Sequence, residues 1–246
     1  MNMNIMNMNK KHQGGFTLLE LLIVISIIAI LSVALIFVIN PAETLKKSRD
    51  AQRISDLNTL KTAMGLYTTS TITPYLGGSA SNAICKTGGA GGTWGTPLTM
   101  MIRYSYPNTT PGANISDLSL DGTTFTYAPG ANQASSTMYT LTDSTGWLPV
   151  NFDSLTGGSP ISNLPLDPVN DIVNASPASS ASAVSNGGLV YRYACNSTSL
   201  TYEIDAVLES TAYTSDDNKM SKDGGNNSNY YEVGTNLKIL GTGTDF

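Results

Sequence analysis

Few side chains in this sequence could do chemistry, and the most unusual is a carboxylate. Glu20 closes the stretch G-G-F-T-L-L-E at residues 14–20 and stands at the front of an apolar run. From Leu21 to Ile39 there are 19 residues without a charge, with Ser26 and Ser32 as the only polar side chains. A carboxylate at a bilayer centre costs about 2.5–3.5 kcal/mol on insertion scales. Near one edge it escapes part of that cost by snorkelling, but in a water-free core it needs a cationic partner. Catalytic side chains are scarce by comparison. The single histidine, His12, precedes the glycines, so the rest of the chain has none for a Ser-His-Asp triad or a His-bearing zinc site. A paired-carboxylate glycosidase stays formally open, but the acids are sparse and fall mostly in loops or on outward strand faces. No G-x-x-x-x-G-K-[ST] phosphate loop is present; G-G-A-G-G at residues 88–92 reads as a loop. The expectation is a protein that is not an enzyme.

The apolar run is the element that positions Glu20. As a helix its 19 residues span about 28 Å, close to the hydrocarbon thickness of a bilayer. A cleaved secretory signal has a shorter apolar core followed by small residues. Here Gly14 and Gly15 come before the run, and Asn40 and Pro41 follow it. Pro41 should kink the helix or start a new one. Beyond it Leu45, Ile54, Leu57, Leu60, Met64 and Tyr67 recur near helical spacing, an apolar stripe on which a sheet should rest. Span and amphipathic half together predict one long, bent or straight helix over residues 17–67. The charge run from Lys46 to Asp56 reads as a solvated face, or else as ion pairs between chains.

Residues 68–97 are rich in Thr, Ser, Gly and Pro and read as loop. Strand signals follow. Met100, Ile102, Tyr104 and Tyr106 alternate; Asp121-Gly122 marks a turn before Thr123–Tyr127; Met138–Thr142 and Trp147–Phe152 are short strand candidates. The clearest pair is late. Leu189, Tyr191, Tyr193 and Cys195 share one face, residues 196–199 turn, and Leu200, Tyr202, Ile204, Ala206 and Leu208 face opposite Thr201, Glu203, Asp205 and Glu209. That pattern predicts a half-buried antiparallel hairpin. Residues 230–233 and 237–240 are edge-strand candidates, and residues 174–188 a flexible excursion. The fold class is α+β: a long N-terminal helix packed on a C-terminal antiparallel sheet. Charged residues are only 13% of the chain and its net charge is −5. Without Lys10 and Lys11 the basic count falls from 13 to 11 against 18 acids, about −7, which disfavours a nucleic-acid footprint.

K-K-x-x-G-G-F-T-L-L-E at residues 10–20 resembles the N-terminal signal of type IV pilins and the pseudopilins of type II secretion. The resemblance implies cleavage by a prepilin peptidase after Gly15, N-methylation of the new terminus at Phe16, and a role for Glu20 in assembly. The ammonium of Phe16, on the same or a neighbouring chain, would be the partner that Glu20 requires. The implied domains are a leader at 1–15, a transmembrane helix at 16–40, an amphipathic helix at 41–67, and an extracytoplasmic β-rich domain at 68–246. The implied partners are the peptidase and methyltransferase, other pilin subunits, the assembly machinery and the membrane. The leader would stay in the cytoplasm and the globular domain outside, although Lys46, Lys47, Arg49 and Arg53 make a plain Lys and Arg count favour the reverse. L-P-L-D-P at 164–168, followed by Y-R-Y at 191–193, resembles the C-terminal half of major pseudopilins and many bacterial pilins. The D-P-W-G-x-P-Y continuation of secretion pseudopilins is absent.

Three acidic groups are candidates for calcium, which takes six to eight oxygens. Asp117, Ser119 and Asp121 mimic the start of an EF-hand loop, but its twelfth position is Ala128. The resemblance favours Asp216, Asp217, Asn218 and Asp223, and Asp167, Asn170 and Asp171 form the third group; otherwise no cofactor is expected. Cys85 and Cys195 would both lie outside the membrane, where disulfides persist; they pair, or Cys195 stays a buried thiol. Two functions remain: a structural subunit of a pilus-like or pseudopilus filament, or a singly anchored surface module that binds carbohydrate or protein through aromatics such as Trp94 and Trp147. Glu20 discriminates, because a mere anchor does not need it.

Overall fold

A computed structural model describes residues 15–78, 81–88, 102–105, 114–118, 124–127, 138–171, 181–183 and 188–240. Two compact units divide the chain, one up to Thr44 and one from Leu45 onward. In the first unit, helix α1 covers Leu18–Ile39. Thr17 caps it with an extended backbone, and its hydroxyl accepts from the Glu20 amide at 3.2 Å. Ser26 and Ser32 donate to the carbonyls of Leu22 and Ile28 at 2.7 and 2.8 Å, so their hydroxyls are satisfied inside the helix. Asn40 then turns left-handed, with φ 42°, and stops α1. Helix α2, Pro41–Ser70, begins at the next residue. Proline suits a first helical position, where its missing N–H has no partner to lose. The Glu43 amide donates to the Asn40 carbonyl at 3.1 Å, opening the new helix. The single long helix expected over residues 17–67 is therefore two helices, broken at Asn40.

In the second unit the α2 stripe Leu57, Leu60, Ala63, Met64 and Tyr67 is buried, while Leu45 is exposed. It packs in one cluster with the sheet residues Tyr191, Tyr193, Cys195, Tyr202, Ile204, Ala206 and Val233. Strands β1 (Arg103–Tyr104), β5 (Tyr191–Asn196), β6 (Thr201–Ala206) and β7 (Tyr231–Gly234) form an antiparallel sheet in the order β1-β5-β6-β7. The register sets Tyr193 opposite Ile204 and Cys195 opposite Tyr202. A second sheet has the order β3-β2-β4, with β2 at Asn114–Leu118, β3 at Thr124–Tyr127 and β4 at Ala181–Ala183. The turn proposed at Asp121-Gly122 lies outside the described residues, as do Met100, Tyr106 and Trp94.

Three sequence expectations are corrected here. The β5–β6 hairpin is buried on both faces rather than half-buried: Arg192, Glu203 and Asp205 are at most 1% exposed. The polar face is covered by the Tyr230 ring, 3.8 Å from the Arg192 guanidinium carbon, and by Ile239 and Leu240, whose amides donate to the Glu203 carboxylate at 2.7 and 2.9 Å. That segment is consequently no strand at 237–240. The stretches 138–142 and 147–152 are not strands either. Trp147, Leu148, Val150 and Phe152 fill the core from irregular backbone. Single bonds, such as the Trp147 amide to the Tyr139 carbonyl at 2.9 Å, replace a ladder.

Candidate functional site

The segment singled out by the sequence lies at the start of α1. Phe16 is 80% exposed. A side chain at Gly15 would meet no atom within 4 Å, so the described residues give the fold no reason to demand glycine there. Thr17 and Glu20 occupy the N-cap and third helical positions, the S/T-x-x-E spacing of a capping box. A carboxylate in a first turn is also favoured by the positive end of the helix dipole, an effect of about 0.3–1 kcal/mol. The sequence carried this signal in T-L-L-E, and it gives Glu20 a local role besides any partner. From Leu18 to Ile36 the helix is long and apolar enough to cross a membrane, and none of that stretch is buried in the chain.

The charge run of α2 holds the features that sequence reasoning missed. Asp50 and Arg53 are fully buried, not part of a solvated face. Arg53 forks onto Asp167, donating through Nε at 2.6 Å and Nη2 at 2.9 Å, and donates through Nη1 to Asp50 at 2.7 Å and Glu209 at 2.8 Å. Asp50 also accepts from the amides of Glu209 and Ser210, at 3.1 and 2.8 Å, and from the Ser210 hydroxyl at 2.6 Å. Asp167 accepts in addition from the amides of Val169 and Asn170, at 2.8 and 3.2 Å. Burial alone would lower the Arg53 pKa, but its bonds and charge pairing with Asp167, Glu209 and Asp50 outweigh that and raise it. Glu209 is held down to about 2, chiefly by its hydrogen bond from Arg49 and then by Arg53, against the opposing effect of burial. Burial pushes the nearby Asp56 up, although the Tyr191 hydroxyl donates to it at 2.8 Å. The Asp of L-P-L-D-P thus serves as the anchor of α2.

Of the calcium candidates, those at 216–223 and 167–171 make other contacts among the described residues, while Ser119 and Asp121 lie outside the described residues. Asp217 pairs with Lys219 and Lys222, which hold it down to about 2. Asn218 accepts from the Ser221 amide at 3.1 Å, and Asp223 accepts from the amides of Gly225 and Glu232, each at 2.8 Å. Asp216 ends a π-helical turn at Ala212–Asp216. The Asn170 side chain bonds Ser105, with only its backbone amide reaching Asp167, and Asp171 pairs through its backbone with Leu189. Among the described residues no three His, Cys, Asp or Glu side chains are grouped to hold a metal. Cys85 and Cys195 form a disulfide, with Cα atoms 4.7 Å apart and 110 residues between them in sequence. Trp147 is buried and donates its indole N–H to the Pro165 carbonyl at 2.9 Å, so it is no exposed binding aromatic.

An unburied apolar helix, capped in front by Thr17 and Glu20 and followed by an α+β unit with its own core, defines a membrane-anchored class of protein. Residues 10–36 match the family model of the prokaryotic N-terminal methylation motif. The match covers 27 of the 246 residues and supports a prepilin-type signal, as carried by type IV pilins and pseudopilins, at the front of the chain. No curated protein and no solved structure matches the chain.

Proposed function

We propose that this protein is a structural subunit of a type IV pilus-like or pseudopilus filament, processed after Gly15, N-methylated at Phe16, and assembled through α1. The observation that carries the reading is the pairing of the methylation motif with a helix that buries none of its apolar surface in its own chain. At about 25 cal/mol per Å² that surface demands a bilayer or a bundle of like helices. In a bundle, Glu20 loses the water that solvates it, and the terminal ammonium of Phe16 is the neutraliser that cleavage supplies. Methylation keeps that charge. The freedom around Gly15 supports a glycine demanded by the peptidase. The leader then stays cytoplasmic and the second unit is displayed outside, as periplasmic or extracellular filament.

The test uses two substitutions. Glu20→Gln keeps the capping-box residue type and removes the charge; Glu20→Ala removes both. Both variants should insert in the membrane and fail to enter filaments. Filament yield unchanged in Glu20→Gln would overturn the charge argument. Mass spectrometry of the mature terminus should find methylated Phe16, and an intact Met1 would sink the processing step.

A further inference from the structure

A groove of about 470 Å³ opens at the C-terminal end of α2, walled by residues 67–75 and 151–156. Its size lies within the roughly 300–1,000 Å³ of small-ligand sites. Its lining is Tyr, Ser, Thr, Asn, Ile and Leu, with no charged side chain. Phosphates and carboxylates therefore find no cation to bind there. The hydroxyls of Ser70, Thr71, Thr73 and Thr156 have no partner among the described residues. A hydroxyl both donates and accepts, which is what another hydroxyl requires of its partner.

The wall is fixed before any ligand arrives. The Tyr67 hydroxyl accepts from the Tyr75 amide at 3.1 Å and donates to the Tyr75 carbonyl at 3.4 Å. One residue on, the Leu76 amide donates to Asn82 at 2.6 Å and its carbonyl accepts from the Tyr193 hydroxyl at 2.7 Å. Across the groove, Asn151 accepts from the Ser154 amide at 3.2 Å and holds the short turn Phe152–Ser154. Tyr75 is half-buried and lines the groove, and these bonds fix its backbone. At its lip Ile72 is 103% exposed, an apolar side chain for which the fold itself has no use.

We propose that this groove binds a neutral saccharide. The apolar C–H face of a sugar ring would stack on Tyr75 and contact Ile72, and its hydroxyls would exchange hydrogen bonds with Thr71, Thr73 and Ser70. Preorganisation matters because a sugar offers little apolar area, so a wall that had to order on binding would consume the affinity. The inference stands apart from polymerisation and holds for a single chain.

The experiment is saturation-transfer NMR on the full chain in phospholipid nanodiscs, with lactose, maltose, chitobiose and trialanine as probes. At least one disaccharide should receive saturation and trialanine should not. Tyr75→Ala should weaken the binding about tenfold or more, as loss of a central aromatic contact does. Thr73→Lys, which puts a charge and a long side chain into the groove without touching the Tyr67–Tyr75 bonds, should do the same. Transfer to none of the disaccharides, stronger transfer to trialanine, or sugar binding unchanged in both variants would each overturn the proposal.

Discussion

Replacing Arg53 by Leu tests the buried clamp most directly. The substitution keeps helix propensity and apolar bulk and removes four hydrogen bonds to three carboxylates. Removing one partner of a buried ion pair costs about 3–5 kcal/mol, because the remaining charge stays buried. Here both stranded carboxylates keep amide donors: Glu209 and Ser210 for Asp50, Val169 and Asn170 for Asp167. The loss should therefore fall near the low end, about 3 kcal/mol, and lower a urea midpoint by about 1–2 M. The matched control is Arg49→Leu. Arg49 also bonds Glu209, at 2.7 Å, but its side chain is 32% exposed, and a solvated pair contributes about 0–1 kcal/mol. Urea unfolding of the full chain in detergent, followed by near-UV circular dichroism with the disulfide intact, measures both. Acid adds a second readout. The Glu209 pKa is depressed in the folded state to about 2, so its contribution is complete above its unfolded value of about 4.5 and is lost as pH falls toward 2. Arg53→Leu should flatten that decline. Equal losses in the two variants, or a loss in Arg53→Leu below about 0.5 kcal/mol, would refute the view that burial makes this arginine matter.

Glu232 behaves oppositely to Glu209. Burial, and after it the neighbouring Glu203 carboxyl, raise its pKa to about 10. A raised value means stability complete below about 4.5 and declining as pH rises toward 10. Glu232→Gln removes the titrating group and should remove the fall in thermal midpoint between pH 5 and pH 9; an unchanged slope would count against a buried, neutral Glu232. Replacing Cys85 and Cys195 together by Ser opens a link across 110 residues and should cost about 4–5 kcal/mol in the chain-entropy picture. Urea midpoints with and without the link measure it, and a cost under about 1 kcal/mol would contradict that account.

The span, the apolar stripe of α2 and the alternation of β5 and β6 are readable in the sequence because each follows a strict period, while the turn expected at 196–199 lies at 197–200 and takes in Leu200, with φ 52°. What stayed hidden depended on partners far along the chain. Asp50 and Arg53 sit in a run of charges that looks solvated, and only the return of Asp167 and Glu209, more than a hundred residues later, encloses them. Arg192 and Asp205 alternate outward from the tyrosine face, and their burial comes from Tyr230. Trp147–Phe152 has strand-like composition but pairs only through the isolated antiparallel bridge of Asn151 with Asp143, so its apolar residues reach the core from irregular backbone. The capping spacing of Thr17 and Glu20 is legible in T-L-L-E, because it depends only on neighbours within one turn.

The tyrosines explain how a chain with so much irregular backbone holds α2 in one register. Among the described residues seven tyrosines are buried, and several use the hydroxyl to tie separate elements together. Tyr191 reaches Asp56 of α2 at 2.8 Å, Tyr202 the Lys61 carbonyl at 3.2 Å, Tyr193 the Leu76 carbonyl at 2.7 Å, and Tyr67 the Tyr75 backbone. An apolar stripe alone tolerates a helix that slides by one turn, about 5.4 Å, since leucine replaces leucine. A hydroxyl or a guanidinium does not tolerate it: the same slide would strand Arg53, Asp50 and Asp56 without partners, at about 1–3 kcal/mol or more for each buried group left unsatisfied. Directional bonds at both ends of the stripe therefore set where the helix stops, and the hydrophobic surface supplies the attraction between them.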